Sequence, residues 1–276
     1  MLKTRIITAL VLLAVLLPVL YSNNYTAFAV VASIFFGAAI WECFRLFNPG
    51  TNRATIIALA WTAMFGYAFF IRAPGDPTFW FAIGVLLWAL RFTPTLKIGL
   101  PPLAGTGNTL LSLLYAISLV SCFAAIVTLF QYSALFLLSV LAIVWSADIF
   151  AYVCGKTFGR TKLAPSISPG KSWEGAIGGG IVTLILAALT VLFGGEALAN
   201  TFAVRVQASF GWAGMFGVLI LIVAASIVGD LFESQLKRRA GMKDSSNLLP
   251  GHGGVLDRID ALVPVLPLAA LAATRL

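Results

Sequence analysis

The chain has 276 residues, of which 60% are hydrophobic and 10% charged, whereas an ordinary soluble domain is about 25% charged. This excludes a soluble globular protein and leaves an integral membrane protein, with enough residues for several helices of about 20 residues each. The formal net charge of +8 is scattered among loops, which excludes a duplex-binding stripe and any nucleic acid partner, and instead fits membrane topology and anionic phosphate ligands.

The N-terminal stretch "MLKTRIITALVLLAVLLPVLY" has the outline of a signal peptide, with Lys3 and Arg5 before an apolar run. No small-x-small cleavage site follows, so it is read as a retained first span. Apolar runs then predict about nine helices: Ile6–Tyr21, Tyr25–Phe44, Ala54–Ile71, Phe79–Phe92, Thr109–Phe130, Ala134–Cys154, Trp173–Phe193, Trp212–Phe232 and Val255–Ala273. The fourth is short, and Pro264 and Pro267 break the last. Cys43, Cys122 and Cys154 fall in apolar stretches at spacings that match no metal or redox motif, and read as small buried hydrophobes.

Orientation follows from counting. With a cytoplasmic N-terminus and every candidate spanning, the cytoplasmic side holds Lys3, Arg5, Arg45, Arg53, Arg91, Lys97, Lys156, Arg160, Lys162, Lys171, Lys237, Arg238, Arg239, Lys243 and Arg258. The far side holds only Arg72, Arg205 and Arg275. This asymmetry is the positive-inside pattern. Of the acids, only Asp76 and Glu196 lie on the far side; Glu42, Asp148, Glu174, Asp230, Glu233, Asp244, Asp257 and Asp260 sit at or near cytoplasmic helix ends. Ionisable groups in membrane segments are functional candidates by default, so this level predicts a polar cavity open to the cytoplasm. No internal repeat or low-complexity linker is visible. The expectation is one membrane domain over 1–276, with scaffold helices over 1–132 and the chemistry over 133–276.

Three stretches carry that chemistry. In "SPGKSWEGAIGGG" (168–180), "GKS" invites a phosphate-loop reading, but Pro165 stands where the motif needs glycine and no strand is predicted before it, so a nucleotide-hydrolysing loop is excluded. Gly170, Lys171 and Ser172 still precede a helix, where free N–H groups bind phosphate. Lys171 reads equally as a phosphate contact or as a plain positive-inside lysine. Glu174 suits the helix dipole, and Gly175, Gly178, Gly179 and Gly180 suit close helix packing in lipid.

In "GDLFESQLKRR" (229–239), Asp230, Ser234 and Lys237 fall on one helical face; the bland reading is a helix-end pair of Lys237 with Asp230 or Glu233. In "KDSSNLLPGHGGVLDRID" (243–260), the glycines at 251, 253 and 254 permit unusual backbone angles around His252, the chain's one histidine. Asp257 and Asp260 share a face of the next helical turn. Carboxylates from two helices suit a hard cation such as Mg²⁺ with waters and substrate phosphates; one histidine and distant cysteines argue against a transition metal. Carboxylates for metal beside cations for phosphate form the inventory of phosphoryl or nucleotidyl transfer. No activated serine, cysteine or histidine nucleophile is evident, and none is needed if the attacking group is itself a phosphate.

The run "SQLKRRAGMKDSSNLLPGHGGVLDRID" (234–260) closely resembles the signature of the phosphatidate cytidylyltransferase, or CDP-diacylglycerol synthase, family. Ser234, Lys237, Arg238, Lys243, Asp244, Ser246, Pro250, His252, Gly253, Gly254, Asp257, Arg258 and Asp260 occupy its constrained positions. "SADIFAY", "GKTFGRTKLAPSISPGKSWEG", "GDLFES" and the opening "LKTRIITALVL" also resemble it. The resemblance implies that CTP and phosphatidic acid give CDP-diacylglycerol and pyrophosphate. It also implies dependence on Mg²⁺, with a monovalent cation such as K⁺ beside it, and a homodimer in a bacterial-type inner membrane with the site facing the cytoplasm. Carried onto this chain, Asp230 and Asp257 stand first as metal ligands, with Asp260 and Asp244 next. Asp230, Asp257, Lys237 and Arg258 form the expected catalytic set. Ser168, Lys171, Ser234, Arg238, Lys243, His252, Gly253 and Gly254 form the expected substrate-binding set. A CTP-dependent polyprenol kinase of related architecture shares the nucleotide and metal logic. A secondary transporter would place its acids near the midplane of repeated halves, whereas here they cluster at one face.

Overall fold

The protein is all-α apart from one small hairpin, in a computed structural model that describes residues 2–49, 53–71 and 75–276. Arg72 of the charge count lies outside the described residues, as do the side chains of Lys3 and Arg5. The helices are α1 (Leu2–Ser22), α2 (Tyr25–Phe47), α3 (Arg53–Gly66), α4 (Thr78–Leu87), α5 (Thr93–Ile98), α6 (Thr106–Tyr132), α7 (Ala134–Phe158), α8 (Trp173–Phe193), α9 (Phe202–Arg239), α10 (Leu256–Ile259) and α11 (Leu262–Ala273). Among the described residues, 7 helical stretches are long and apolar enough to cross a membrane, from Tyr25–Phe47 to Phe202–Arg239; Ile6–Tyr21 and α11 are shorter apolar helices.

Three predicted boundaries differ. The fourth helix is longer than its apolar pattern, running unbroken over Thr78–Ile98. Pro94 has no N–H to offer the carbonyl one turn back, and the wider π turn Trp88–Phe92 absorbs the mismatch before α5 continues. The predicted helix Trp212–Phe232 is the second part of α9, which bends at Gly211 with φ 68°. The last candidate is two helices: Pro264 cannot donate to the Asp260 carbonyl, and the chain breaks between α10 and α11. At 12 residues, α11 is only about 18 Å long, and nearly all of it is buried against α4, α6 and α9.

The core forms around α6, which packs on α2, α4, α7 and α11. Tyr115 of α6 is fully buried among Phe92 and Phe232, at ring distances of 5.7 and 5.2 Å, and Trp88 packs on Phe232 at 5.4 Å. Trp88 donates its indole N–H to Ser118 Oγ at 2.7 Å. Because aromatic pairs add about 0.5–1.5 kcal/mol beyond area burial, this cluster anchors the end of α9 that carries Asp230.

α7 and α8 pack face to face, and three of the four glycines expected to allow it do so. A Cβ on Gly179 would stand 2.6 Å from the Ala147 carbonyl, on Gly175 2.7 Å from that of Ala151, and on Gly178 2.7 Å from the Cys154 side chain. Gly180 meets only Val223 at an ordinary 3.6 Å, so closeness does not require it. Between the two helices, β1 (Lys162–Ala164) and β2 (Ser168–Ser172) form an antiparallel hairpin, pairing Lys162 with Ser172 and Ala164 with Ser168. This hairpin is not among the predicted elements. Gly170, Lys171 and Ser172 lie within β2 rather than in a loop between strand and helix, so the phosphate-loop geometry is still absent.

Candidate active site

One cavity of about 690 Å³ opens where α7, the hairpin, α9 and α10 meet. α7 contributes Asp148, Tyr152 and Lys156, the hairpin Ser168 and Lys171, α9 Ser226 and Asp230, and the α10 turn Asp257 and Asp260. Four carboxylates therefore face one space, interleaved with lysines and hydroxyls.

Local sequence explains this placement. Ser172 leaves the hairpin and caps α8, its Oγ accepting from the Gly175 N–H at 3.2 Å. The Glu174 carboxylate accepts from the Arg160 and Thr161 N–H groups at 3.1 Å. This acid therefore ties the hairpin entrance to α8, a more specific role than the expected dipole effect. Together these bonds fix Lys171 over the cavity. On the opposite wall, Gly229 lets α9 approach the broken helix: a Cβ there would overlap the Asp260 carbonyl and come within 2.9 Å of the Pro264 ring. The same Pro264 that breaks the helix thus leaves the carbonyl against which Gly229 packs, next to Asp230.

The glycine turn is built from two residues in the left-handed region, Gly251 at φ 78° and Gly253 at φ 84°. It closes through Leu249 N–H to the Gly253 carbonyl and His252 N–H to the Leu249 carbonyl, both at 2.8 Å. Thr8 of α1 donates its hydroxyl to the Pro250 carbonyl at 2.7 Å, so the first helix rests on this turn. Gly254 has an ordinary φ and is required for closeness instead, since a Cβ would overlap Ser245 Oγ and Glu42 Oε1.

Lysines hold the two principal carboxylates. Lys171 Nζ pairs with Asp230 Oδ2 at 2.5 Å, and Asp230 Oδ1 accepts from the Ser234 hydroxyl at 3.2 Å. Lys237 Nζ bridges Glu233 Oε2 at 2.5 Å and Asp257 Oδ1 at 2.6 Å. Asp257 Oδ2 accepts from the Ser245 N–H at 2.8 Å, the Ser245 hydroxyl at 2.9 Å and the Gly254 N–H at 2.8 Å. This carboxylate is therefore rigidly aimed, with Oδ2 committed to the loop and Oδ1 to Lys237.

Of the expected site residues, the cavity gathers Asp230, Asp257, Asp260, Ser168 and Lys171. Ser234 and Lys237 touch it through the carboxylates they bind. Arg238, Lys243, Asp244 and Arg258 are exposed and do not line it. Nor do His252, Gly253 and Gly254, which form the adjoining turn; His252 is half-buried, with no hydrogen-bond partner at Nδ1. The eight acids expected at one level also divide. Asp148, Asp230, Asp257 and Asp260 face the cavity, whereas Glu42 and Glu233 are fully buried and hydrogen-bonded elsewhere. The bland pairing of Lys237 with Glu233 is present, alongside the pairing with Asp257. Asp148, Tyr152 and Lys156 lie in "SADIFAY" and "GKTFGRTKLAPSISPGKSWEG", stretches that resemble the family, but none of the three is among the expected site residues; the acid in an otherwise apolar helix was the further signal.

Among the described residues, no three His, Cys, Asp or Glu side chains group closely enough to hold a metal unaided. Mg²⁺ keeps several waters and takes one or two carboxylates plus substrate phosphates. The all-oxygen set facing this cavity fits such a substrate-completed site, and neither a thiol nor an imidazole lines it.

A helical membrane protein with carboxylates and lysines converging on one polar cavity has the parts that phosphate-group transfer requires. The chain matches the cytidylyltransferase family over residues 3–275. It is 36% identical to the phosphatidate cytidylyltransferase of Haemophilus influenzae, with 97% of this chain and 96% of that protein aligned. It is also 36% identical to the phosphatidate cytidylyltransferase of Pseudomonas aeruginosa, across 98% and 96% of the two chains. With the Brucella abortus phosphatidate cytidylyltransferase, identity is 47% over 47% of this chain and 43% of that one. The chain belongs to the cytidylyltransferase family and is a nucleotidyltransferase.

Proposed function

We propose that the protein transfers CMP from CTP to phosphatidic acid, forming CDP-diacylglycerol and releasing pyrophosphate. The observation that carries this reading is the cavity between α7, the hairpin, α9 and α10, where Asp148, Asp230, Asp257 and Asp260 meet Lys171 and Lys156. An oxygen of the lipid phosphate attacks the α-phosphorus of CTP. The bond from that phosphorus to the oxygen bridging to the β-phosphate breaks, and pyrophosphate leaves with the electron pair. The attacking group is already an anion, so the protein needs no nucleophile or base. Its tasks are to bring polyanions together and to stabilise the charge that develops.

Lys171 suits these tasks directly, since it lines the cavity and holds Asp230 by a short ion pair, leaving a compact cation beside an incoming phosphate; Lys237 suits them indirectly, by holding Asp257 in place. Asp230 and Asp257 would hold Mg²⁺, with Asp260 beside them. Bound there, the ion would neutralise phosphate charge as a Lewis acid. Ser168 and the cavity face of the hairpin suit one substrate; the exposed Arg238, Lys243 and Arg258 suit the approach of the other's phosphates from solution. The exposed Tyr152 lines the cavity, and Ile149 and Trp173, each next in the chain to a lining residue, are exposed as well; these side chains suit acyl chains that stay in lipid while the headgroup enters. The positive-inside count supports a cytoplasmic face for the site, in a bacterial-type inner membrane. By resemblance the reading extends to a homodimer and a monovalent cation near the Mg²⁺.

The test is turnover by the purified protein in detergent, with CTP, Mg²⁺ and either phosphatidic acid or a polyprenol. CDP-lipid from phosphatidic acid alone is expected. A phosphorylated polyprenol with CDP released would replace this reading with a lipid kinase.

A further inference from the structure

α2 is apolar except near its end, where Glu42 is fully buried. No cation pairs with it among the described residues. A buried carboxylate is expensive unless hydrogen-bonded, and this one is fully engaged. Oε1 accepts from the Ser246 hydroxyl at 2.5 Å and the Val255 N–H at 3.0 Å; Oε2 accepts from the Leu256 N–H at 2.6 Å and the Ser245 hydroxyl at 3.2 Å. All four donors belong to the segment that carries the glycine turn and Asp257, more than 200 residues away in the chain. One of them is shared, because the Ser245 hydroxyl lies 3.2 Å from Glu42 Oε2 and 2.9 Å from Asp257 Oδ2. Gly254 leaves the space that these three groups fill.

We infer that Glu42 is a positioning residue for the reaction. It anchors the 245–256 segment to the scaffold and, through Ser245, holds Asp257 with Oδ1 turned to Lys237 and the cavity. The inference rests on the proposed transfer reaction, but the anchoring can be measured apart from it. Chemistry singles out the acid. The four donors divide two and two over its oxygens, and each oxygen takes one backbone N–H. In Glu42→Gln, either orientation of the amide aims its NH₂ at a backbone N–H, of Val255 or of Leu256. Those groups cannot rotate away as a hydroxyl can. Glu42→Asp keeps the charge but withdraws it by one methylene.

The experiment compares wild type, Glu42→Gln, Glu42→Asp, Ser245→Ala and the Glu42→Gln/Ser245→Ala double variant. It reads kcat per folded protein, KM for CTP, and amide hydrogen exchange over 245–257 in detergent without substrates. Glu42→Gln should speed exchange at 255 and 256 and lower kcat roughly 10- to 100-fold, the range seen for outer partners of metal-site ligands. KM for CTP should move less than kcat. The double variant should cost less in kcat than the two single losses combined, because the Glu42–Ser245 hydrogen bond is common to both. Glu42→Asp should recover part of kcat. Unchanged exchange with unchanged kcat in Glu42→Gln would overturn the inference. So would a fall in melting temperature with kcat per folded protein intact, which is the mark of a merely structural acid. If the wild type makes no CDP-lipid, the transfer reading fails on its own; faster exchange in Glu42→Gln would still support the anchor.

Discussion

Lys237→Met would take away the one cation that contacts two buried acids. The Lys237 side chain is 13% exposed, against 0% for Glu233 and 4% for Asp257. Asp257 keeps three donors on Oδ2 after the change. Glu233 keeps none, since Lys237 serves Oε2 and Oε1 has no partner. The loss is therefore that of a broken buried pair, about 3–5 kcal/mol. At about 2–4 °C per kcal/mol for a domain of comparable size, melting in detergent should fall by on the order of 10 °C. Glu233→Gln in the same background removes the stranded charge and should restore about 1–3 kcal/mol. It should not restore turnover, because Asp257 Oδ1 still lacks its lysine. The assay is fluorescence-monitored melting of the three proteins with CTP turnover measured in parallel. Melting of Lys237→Met within a degree or two of wild type, or no recovery in the double variant, would refute the assignment of Lys237 as the partner that makes Glu233 tolerable.

Other expectations are briefer. Asp257→Asn should abolish turnover while the protein inserts and purifies normally; near-normal turnover would remove Asp257 from the reaction. Gly179→Ala would force a methyl against the Ala147 carbonyl at 2.6 Å and should destabilise by about 1–3 kcal/mol, read as a lower melting temperature, whereas Gly180→Ala should be close to neutral. Chelation of divalent ions should stop turnover and added Mg²⁺ restore it, with melting little changed, because among the described residues no preformed three-ligand site contributes to folding.

Hydropathy made the helices legible, since each long apolar run has no other way to satisfy its backbone in lipid. It did not reveal the ends set by backbone chemistry. The π turn before Pro94 lengthened the fourth helix, Gly211 bent α9, and Pro264 divided the last helix at Asp260. Charge and glycine spacing in 229–260 were enough to bring Asp230, Asp257 and Asp260 to one cavity. They also drew in Arg238, Lys243, Asp244 and Arg258, which are exposed, because a signature shows which residues travel together but not which way each one points. Glu42 was visible only as an acid at a helix end. Its partners lie more than 200 residues away, and no local pattern can encode that pairing. Asp148 was likewise a lone acid in an apolar helix until α8 and the hairpin closed around it.

The central claim is which phosphorus moves, and position-specific label in CTP tests it most directly. With ³²P at the α-position, purified protein, Mg²⁺ and phosphatidic acid, the label should enter the lipid fraction as CDP-diacylglycerol. With ³²P at the γ-position it should appear only in released pyrophosphate. Label from the γ-position in lipid, or none from the α-position, would contradict the account.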